Sequence, residues 1–231
     1  MIGFVTNETG NSLDFAAEIA SLGGVITDLT FETATVGAFD PDLYSSLGVT
    51  FSGTSGPYAI ADDAGPSDGN TSFLPLSSGE GLHPSSKYVF DDNPNEGTFA
   101  ISFAGPVLGG GLFLIDLFNP GGFDDASISA YTGVDGTGTL LGTYSAEDFN
   151  FQTNFMYFMG IVSTDNNIRS IVLTNASTVA GDEIGYDNVR FATQAVTPVP
   201  EPTSLLLLGS GVAGLAAKAR RRRQQQLPEV S

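Results

Sequence analysis

The chain of 231 residues has no cysteine, no tryptophan and one histidine. Without cysteine there is neither a disulfide framework nor a thiol nucleophile, so the fold must depend on its hydrophobic core. The single histidine, His83, excludes a zinc site built from several histidines. It lies beside Pro84 in a polar segment, and no G-x-S-x-G motif occurs, so Ser-His-Asp catalysis has little support. Without tryptophan, the largest aromatic ring for stacking on a sugar is missing.

Basic residues are scarce before the C-terminal segment. Residues 1–198 contain three of them, Lys87, Arg169 and Arg190, against 24 acidic residues, a formal charge of 3 − 24 = −21. A region this acidic repels the phosphates of nucleic acid, so no nucleic-acid partner is expected. It attracts divalent cations instead.

The C-terminal segment has a different organisation. The short motif Val199, Pro200, Glu201, Pro202 is followed by an apolar run over 203–219 and by an arginine cluster over 220–223. The apolar run makes about 25 Å of helix, slightly less than the hydrocarbon core of about 30 Å. Cytoplasmic basic residues then fix the orientation of the helix, and a lysine near its end can extend its stem to the headgroups. The pattern predicts a transmembrane helix over 203–219 whose membrane stop consists of Lys218, Arg220, Arg221, Arg222 and Arg223.

This order of motif, apolar run and basic cluster resembles the PEP-CTERM sorting tail of exported proteins in Gram-negative, exopolysaccharide-producing bacteria. The resemblance covers 199–223 and implies that Val199, Pro200, Glu201 and Pro202 are the sorting motif read by exosortase, a membrane protease and transpeptidase. The two prolines disfavour helix around the glutamate, which leaves the motif extended and accessible beside the bilayer. The implied course is an inner-membrane-anchored precursor, then release to the cell surface or extracellular matrix. Residues 224–231 form a polar extension beyond this pattern.

The N-terminal residues lack the pattern expected of an exported precursor. Residues 1–8 turn polar after a few positions, and no charged n-region with an apolar h-region is visible. We expect the coding start to lie upstream of Met1. A fragment or an indirect export route are the alternatives.

The residues before the tail are dominated by strand and turn patterns. Ser12 as N-cap and Gly23-Gly24 as terminator predict a helix over 13–22, inside a helical lead-in of residues 1–26. From 27 to 193, apolar residues alternate with small or polar ones, as at Phe99, Ile101 and Phe103. Short strands with frequent Asn, Asp, Gly and Pro turns predict an antiparallel two-sheet β-sandwich. Residues 194–198 are the linker to the tail.

Two further segments, the continuous apolar runs 112–118 and 155–162, predict strands buried on both faces. They are shorter than typical helices and are bounded by turn residues. Both runs therefore belong in the middle of the sandwich.

The segments Leu29–Glu32 and Ile184–Phe191 resemble the first and last strands of jelly-roll, carbohydrate-binding-type domains. In those folds an acidic residue from each strand, with backbone carbonyls, commonly holds a structural Ca²⁺. The resemblance implies calcium ligands at Glu32 and Asp187, with Asn188 offering a neutral oxygen where the family often has a second aspartate. Hard oxygen ligands suit calcium, and joining the terminal strands would stabilise the fold. The alternative is that both carboxylates are ordinary surface groups at strand ends.

Three classes of function stay open. The favoured one is a non-enzymatic β-sandwich at the cell surface or in the biofilm matrix. The second is a module that binds exopolysaccharide on a platform of tyrosines drawn from Tyr44, Tyr58, Tyr88, Tyr131 and Tyr144. The third is a glycosidase or lyase that uses carboxylates of predicted loops, such as Asp62, Asp91 and Asp124, and it needs two carboxyls facing one another across a cleft.

Overall fold

The computed structural model describes residues 1–7, 9–54, 58–62, 87–91, 97–115, 118–119, 122–123, 125–145, 156–176 and 184–195, together with 212, 213, 215, 218, 220 and 221. The chain divides into two compact units, Met1–Ala195 and Val196–Ser231. The first unit contains the α-helix α1, Thr9–Ser21, and a short 3₁₀ turn, Ser45–Leu47. Its strands are β1 Ile2–Asn7, β2 Gly24–Leu29, β3 Gly37–Ala38, β4 Val49–Gly53, β5 Tyr58–Asp62, β6 Lys87–Asp91, β7 Gly97–Val107, β8 Gly109–Ile115, β9 Phe118–Asn119, β10 Gly122–Phe123, β11 Asp125–Tyr131, β12 Leu140–Ser145, β13 Met156–Val162, β14 Ile168–Ala176 and β15 Ile184–Gln194.

The strands form two large antiparallel sheets. Sheet A has the order β1-β13-β8-β15-β6-β5-β3, and β2 pairs with the C-terminal half of β15. Sheet B has the order β12-β11-β14-β7-β4, and β9 pairs with β10 in a separate hairpin. The pairings follow the alternation in the sequence, since the predicted strand around residues 99–103 is the middle of β7 and the run 155–162 corresponds to β13.

The main core lies between the two sheets. Phe99, Ile101 and Phe103 of β7 point inward and are at most 2% exposed. The ring of Phe99 stacks on the ring of Tyr186 from sheet A, with centroids 4.5 Å apart, and on Phe51 from β4, at 5.6 Å. Burial of a large aromatic ring removes more apolar surface from water than burial of a smaller side chain does. The predicted antiparallel two-sheet sandwich is therefore confirmed.

Helix α1 covers the outer face of sheet A. Phe15 and Ile19 are buried there, and the ring of Phe15 meets the ring of Phe158 edge to face at 5.3 Å. The helix ends at Ser21, and Gly23 follows in the turn with a φ of +69° that suits glycine, as the predicted Gly23-Gly24 terminator requires. The prediction of Ser12 as N-cap is wrong, because the helix begins at Thr9 and Ser12 lies inside it.

The first strand was not predicted, and it changes the role of the N-terminal residues. The predicted lead-in of residues 1–26 includes β1, which pairs with β13 from Ile2 opposite Val162 to Asn7 opposite Tyr157. The ring of Tyr144 in sheet B lies against Gly3, and its hydroxyl donates to the carbonyl oxygen of Met1 at 2.9 Å. These contacts join the edge of sheet A to the edge of sheet B, so the N-terminal strand closes one side of the sandwich.

The second unit is described at six positions, which have helical backbone and, where exposure is given, exposed side chains. Within the described positions of the chain, no helix combines the length and the apolar character needed to cross a membrane. Most of the predicted span 203–219 lies outside the described residues, so the transmembrane helix stays a prediction.

Candidate functional site

The predicted calcium ligand Glu32 lies in a turn rather than in a strand. Strand β2 ends at Leu29, and the amide of Ala34 donates to the carbonyl of Phe31 at 2.9 Å, which closes a β-turn over Phe31–Ala34. The strand predicted over Leu29–Glu32 is therefore wrong beyond Leu29. The cause is long-range, because the carbonyl of Thr30 accepts the hydroxyl of Tyr44 instead of continuing a strand ladder.

Lys87, the first residue of β6, is bonded to this turn through both its backbone and its side chain. Its amide donates to Glu32 Oε1 at 3.1 Å. Its ammonium donates to the carbonyl oxygens of Glu32 at 3.0 Å and of Ala34 at 2.6 Å. One lysine thus engages three oxygens of the Phe31–Ala34 turn.

The other two predicted ligands, Asp187 and Asn188, lie at a β-bulge in β15. The register against β8 shifts between Asp187 and Arg190, and Asn188 has a φ of +46°. Asparagine tolerates this left-handed conformation better than most residues do. Asp187 is completely buried, and its Oδ1 accepts the amide of Asn188 at 2.7 Å.

The fold brings these groups into one region. Strand β6 pairs with β15 up to Val89 opposite Tyr186, so Lys87 and Asp187 both lie within two residues of that pair. The negative charge of Asp187 also acts on Tyr44. Burial first, and then this charge, raise the pKa of the Tyr44 phenol, while a hydrogen bond with the Thr33 side chain opposes the shift.

This donor set is only partly suited to calcium. Calcium takes six to eight oxygen ligands. The carbonyls of Glu32 and Ala34 already accept an ammonium, and Oε1 of Glu32 and Oδ1 of Asp187 accept backbone amides. In the described ranges, no group of three or more His, Cys, Asp or Glu side chains is placed to hold a metal ion. The calcium site stays a prediction.

A second feature, the outer face of sheet B, was not predicted. Core positions alternate with outward ones, and the strand registers align the outward positions in three rows across the sheet. Serine and threonine occupy most of them: Thr50, Ser52, Thr98, Ser102, Ser127, Ser129, Thr143, Ser145, Ser170 and Thr174. We call this the hydroxyl face. The alternation of Ser and Thr with large apolar residues is the sequence pattern that indicates such a face.

The hairpin between β11 and β12 folds back onto the hydroxyl face. Asp135 Oδ1 accepts the hydroxyls of Ser52 at 2.7 Å and Ser102 at 2.9 Å, and these serines lie on neighbouring strands. The amide of Gly136 donates to the hydroxyl of Ser170 at 3.0 Å. Both Asp135 and Gly136 have positive φ, as the Asp-Gly centre of a tight hairpin turn requires. Ser102 and Ser170 are consequently almost fully buried.

The five candidate platform tyrosines do not come together. Tyr44 and Tyr58 pack against the main core, and Tyr88 is 5% exposed on the opposite side of sheet A. Tyr144 covers Gly3 at the sandwich edge. Tyr131 alone of the five belongs to the hydroxyl face, in the same row as Ser102 and Ser170. The structure therefore does not assemble an aromatic platform from these side chains.

The sorting motif Val199, Pro200, Glu201 and Pro202 lies outside the described residues, as do Arg222 and Arg223. Lys218, Arg220 and Arg221 have helical backbone and exposed side chains. The role of these residues as a membrane stop stays a prediction.

Comparison with known proteins confirms the sorting tail. Residues 198–223 match the PEP-CTERM protein-sorting motif. No curated protein matches the chain at a significant level.

Several solved structures are similar to this chain at low identity. The carbohydrate-binding module TmCBM61, solved in complex with β-1,4-galactotriose, is 10% identical, and the alignment covers 70% of this chain and 100% of that chain with a TM-score of 0.39. The K3 adhesin domain of Lys-gingipain from Porphyromonas gingivalis is 13% identical, with 74% and 99% covered and a TM-score of 0.40. The family 11 carbohydrate-binding module from Clostridium thermocellum is 11% identical, with 68% and 96% covered and a TM-score of 0.32.

The sorting motif and the two-sheet architecture of the first unit define the class of protein. The chain carries a PEP-CTERM sorting motif behind a β-sandwich that is structurally similar to carbohydrate-binding modules and adhesin domains. A motif of this kind implies a secreted, exosortase-processed protein of the cell surface.

Proposed function

We propose that the protein is a non-enzymatic β-sandwich that the C-terminal motif delivers, through an inner-membrane-anchored precursor, to the cell surface or extracellular matrix of a Gram-negative bacterium. The observation that carries this proposal is the match of residues 198–223 to the sorting motif. The sandwich is the cargo, and its function begins after exosortase has removed the tail.

The contacts of the carboxylates support a non-catalytic role. Asp135 accepts two serine hydroxyls, Asp187 accepts a backbone amide, and Asp28 forms an ion pair with Arg190 at 2.8 Å. A general acid or base must lie within hydrogen-bond reach of the substrate, and the printed contacts of these three carboxylates are with groups of the fold itself. The side chains of Asp62, Asp91 and Asp124 lie outside the described residues, so these three are tested directly. Alanine at each should leave polysaccharide turnover unchanged, and a loss of turnover would favour a glycosidase or lyase instead.

The delivery step is tested by substitution in the motif. The double variant Pro200→Ala/Pro202→Ala, expressed in a host that carries exosortase, should accumulate as unprocessed chain in the inner membrane. Pro228→Ala is the matched control, because Pro228 also precedes a glutamate but lies in the polar extension. The proposal fails if the double variant reaches the surface as efficiently as the control does.

A second candidate function, exopolysaccharide binding, is favoured by the hydroxyl face. In the strands of sheet B this face combines hydroxyl groups with Tyr131 in a protein that is otherwise strongly acidic. Hydroxyls can donate and accept hydrogen bonds, and they do not repel an anionic polysaccharide. The β11–β12 hairpin covers Ser102 and Ser170, so the part of the face open to an extended chain is the part that contains the exposed Thr143 and Thr174.

Charge placed on this face tests the candidate. Thr143 and Thr174 are exposed there, and Thr35 is an exposed threonine in a loop away from the strands. Thr143→Asp/Thr174→Asp should weaken binding to the host exopolysaccharide about tenfold or more in affinity electrophoresis, which is roughly 1.4 kcal/mol. Thr35→Asp should leave it unchanged. Absence of binding by the unaltered protein to any glycan would exclude this function and leave the structural role.

A further inference from the structure

We propose that the ammonium of Lys87 is the cation that fixes the Phe31–Ala34 turn to sheet A, in the place where the fold resemblance implies a calcium ion. The turn presents the carbonyl oxygens of Glu32 and Ala34 to one point, and Lys87 Nζ lies 3.0 and 2.6 Å from them. Convergent carbonyls of this kind are a typical cation cradle, and the lysine fills it from inside the chain.

The backbone of Lys87 completes the attachment. Its amide donates to Glu32 Oε1 at 3.1 Å, so the carboxylate that the resemblance assigns to a metal is held by the same residue. Lysine has three ammonium donors and no acceptor, which matches a set of oxygens without competing donors. Hydrogen bonds from a charged donor are stronger than neutral ones, and more so where the surroundings are partly buried.

Charge balance also favours the lysine. The two carboxylates of the region, Glu32 and Asp187, contribute two negative charges, and Lys87 returns one positive charge. A divalent ion bound to the same carbonyls would lie within a few ångströms of the ammonium and be repelled by it. Calcium could bind these carbonyls only after the Lys87 side chain had moved away.

The scarcity of basic residues supports a dedicated role. Lys87 is the only lysine before the tail. The two arginines of that region also have fixed structural contacts: Arg169 Nε donates to the carbonyl of Phe103 at 2.9 Å, and Arg190 pairs with Asp28. Each cation of this acidic sandwich therefore joins a particular pair of elements, and the one assigned to the Phe31–Ala34 turn is Lys87.

The test measures thermal unfolding of the full-length chain in detergent, by circular dichroism, in EDTA and in millimolar CaCl₂. We expect the melting temperature of the unaltered protein to be the same in both. Lys87→Met, which keeps an unbranched side chain one atom shorter and removes its charge, should lower the melting temperature by roughly 5–10 °C. Lys87→Arg should lower the melting temperature by less, because arginine keeps the positive charge.

Lys218→Met is the matched control, since Lys218 is the other lysine of the chain and is exposed in the second unit. It should melt like the unaltered protein. A rise of several degrees in the unaltered protein on adding calcium would overturn the proposal, and this result needs no variant, so it decides the matter even if Lys87→Met does not fold. The proposal would also be overturned if Lys87→Met and Lys87→Arg lowered the melting temperature equally, or if Lys87→Met did not lower it at all.

Discussion

Gly111 offers the sharpest test of the packing in sheet A. It lies in β8 and pairs with Gly160 of β13 on one side and with Arg190 of β15 on the other. A Cβ atom at this position would lie 2.6 Å from the carbonyl oxygen of Met159 and 2.8 Å from the Cα of Gly160. Both are backbone atoms of the neighbouring strand, so Gly111→Ala is accommodated only if β8 and β13 move apart.

The size of the effect follows from this geometry. Overpacking a closely packed interior costs about 1–3 kcal/mol. A clash with backbone belongs at the upper end, because no rotamer change relieves it, so we expect the free energy of unfolding to fall by about 3 kcal/mol. For a domain of this size each kcal/mol shifts the melting temperature by about 2–4 °C, which gives a decrease of roughly 6–12 °C.

Gly105→Ala is the matched control for this experiment. Gly105 lies in β7, and a Cβ atom there would have no heavy atom within 4 Å. The control should melt at the original temperature or slightly above it, since alanine restricts the unfolded chain more than glycine does. Both variants are measured by thermal unfolding with far-ultraviolet circular dichroism. If Gly111→Ala melts together with Gly105→Ala, then β8 and β13 are not packed as described.

Three further predictions concern other contacts. Phe15→Ala removes the edge-to-face contact with Phe158 and should lower the free energy of unfolding by about 3–5 kcal/mol in urea denaturation; a loss below about 1 kcal/mol would mean that α1 does not cover sheet A. Because burial and nearby negative charge raise the pKa of Tyr44, its contribution to stability is complete below about pH 10 and is lost as the pH rises through the pKa of the folded state. Tyr44→Phe should flatten the alkaline part of the stability profile, and an unchanged profile would contradict this. Ser170→Ala leaves the amide of Gly136 without its acceptor and should cost about 1–3 kcal/mol, whereas Thr174→Ala on the exposed part of the same strand should cost less than about 0.5 kcal/mol.

The sequence predicted the strands of the core because their signal is local. Val49 and Phe51 of β4 alternate with polar residues, and the same period in β7 places every second side chain between the sheets. The apolar run of β13 was recognised by its length and its flanking turns. Such a pattern lies within one strand, so it predicts the strand even when the neighbouring strands are unknown.

Features that depend on distant partners could not be predicted. Strand β8 begins at Gly109, three residues before the predicted run. The sequence does not indicate this earlier start, because glycines have no side chain to show alternation. The strand predicted over Leu29–Glu32 stops at Leu29, because the carbonyl of Thr30 accepts a hydrogen bond from the Tyr44 hydroxyl instead of one from a neighbouring strand. Lys87 contacts Glu32 across 55 positions of sequence. The count of charges included this lysine but did not indicate its location.

The sorting tail could be predicted, because the residues that identify it are adjacent in the sequence. The motif, the apolar run and the basic cluster follow one another in sequence, and the match to the sorting motif over 198–223 agrees with the segment predicted as 199–223. A surface assembled from several strands, such as the hydroxyl face, draws its residues from segments far apart in the sequence. For this reason the destination of the protein was easier to predict than its activity.

The most direct test of the central claim is mass spectrometry of the C terminus of the protein recovered from the cell surface. The account predicts a mature chain that ends at or next to the Pro200-Glu201-Pro202 motif and lacks the apolar run and the arginines. Recovery of surface protein that still ends at Ser231 would contradict it.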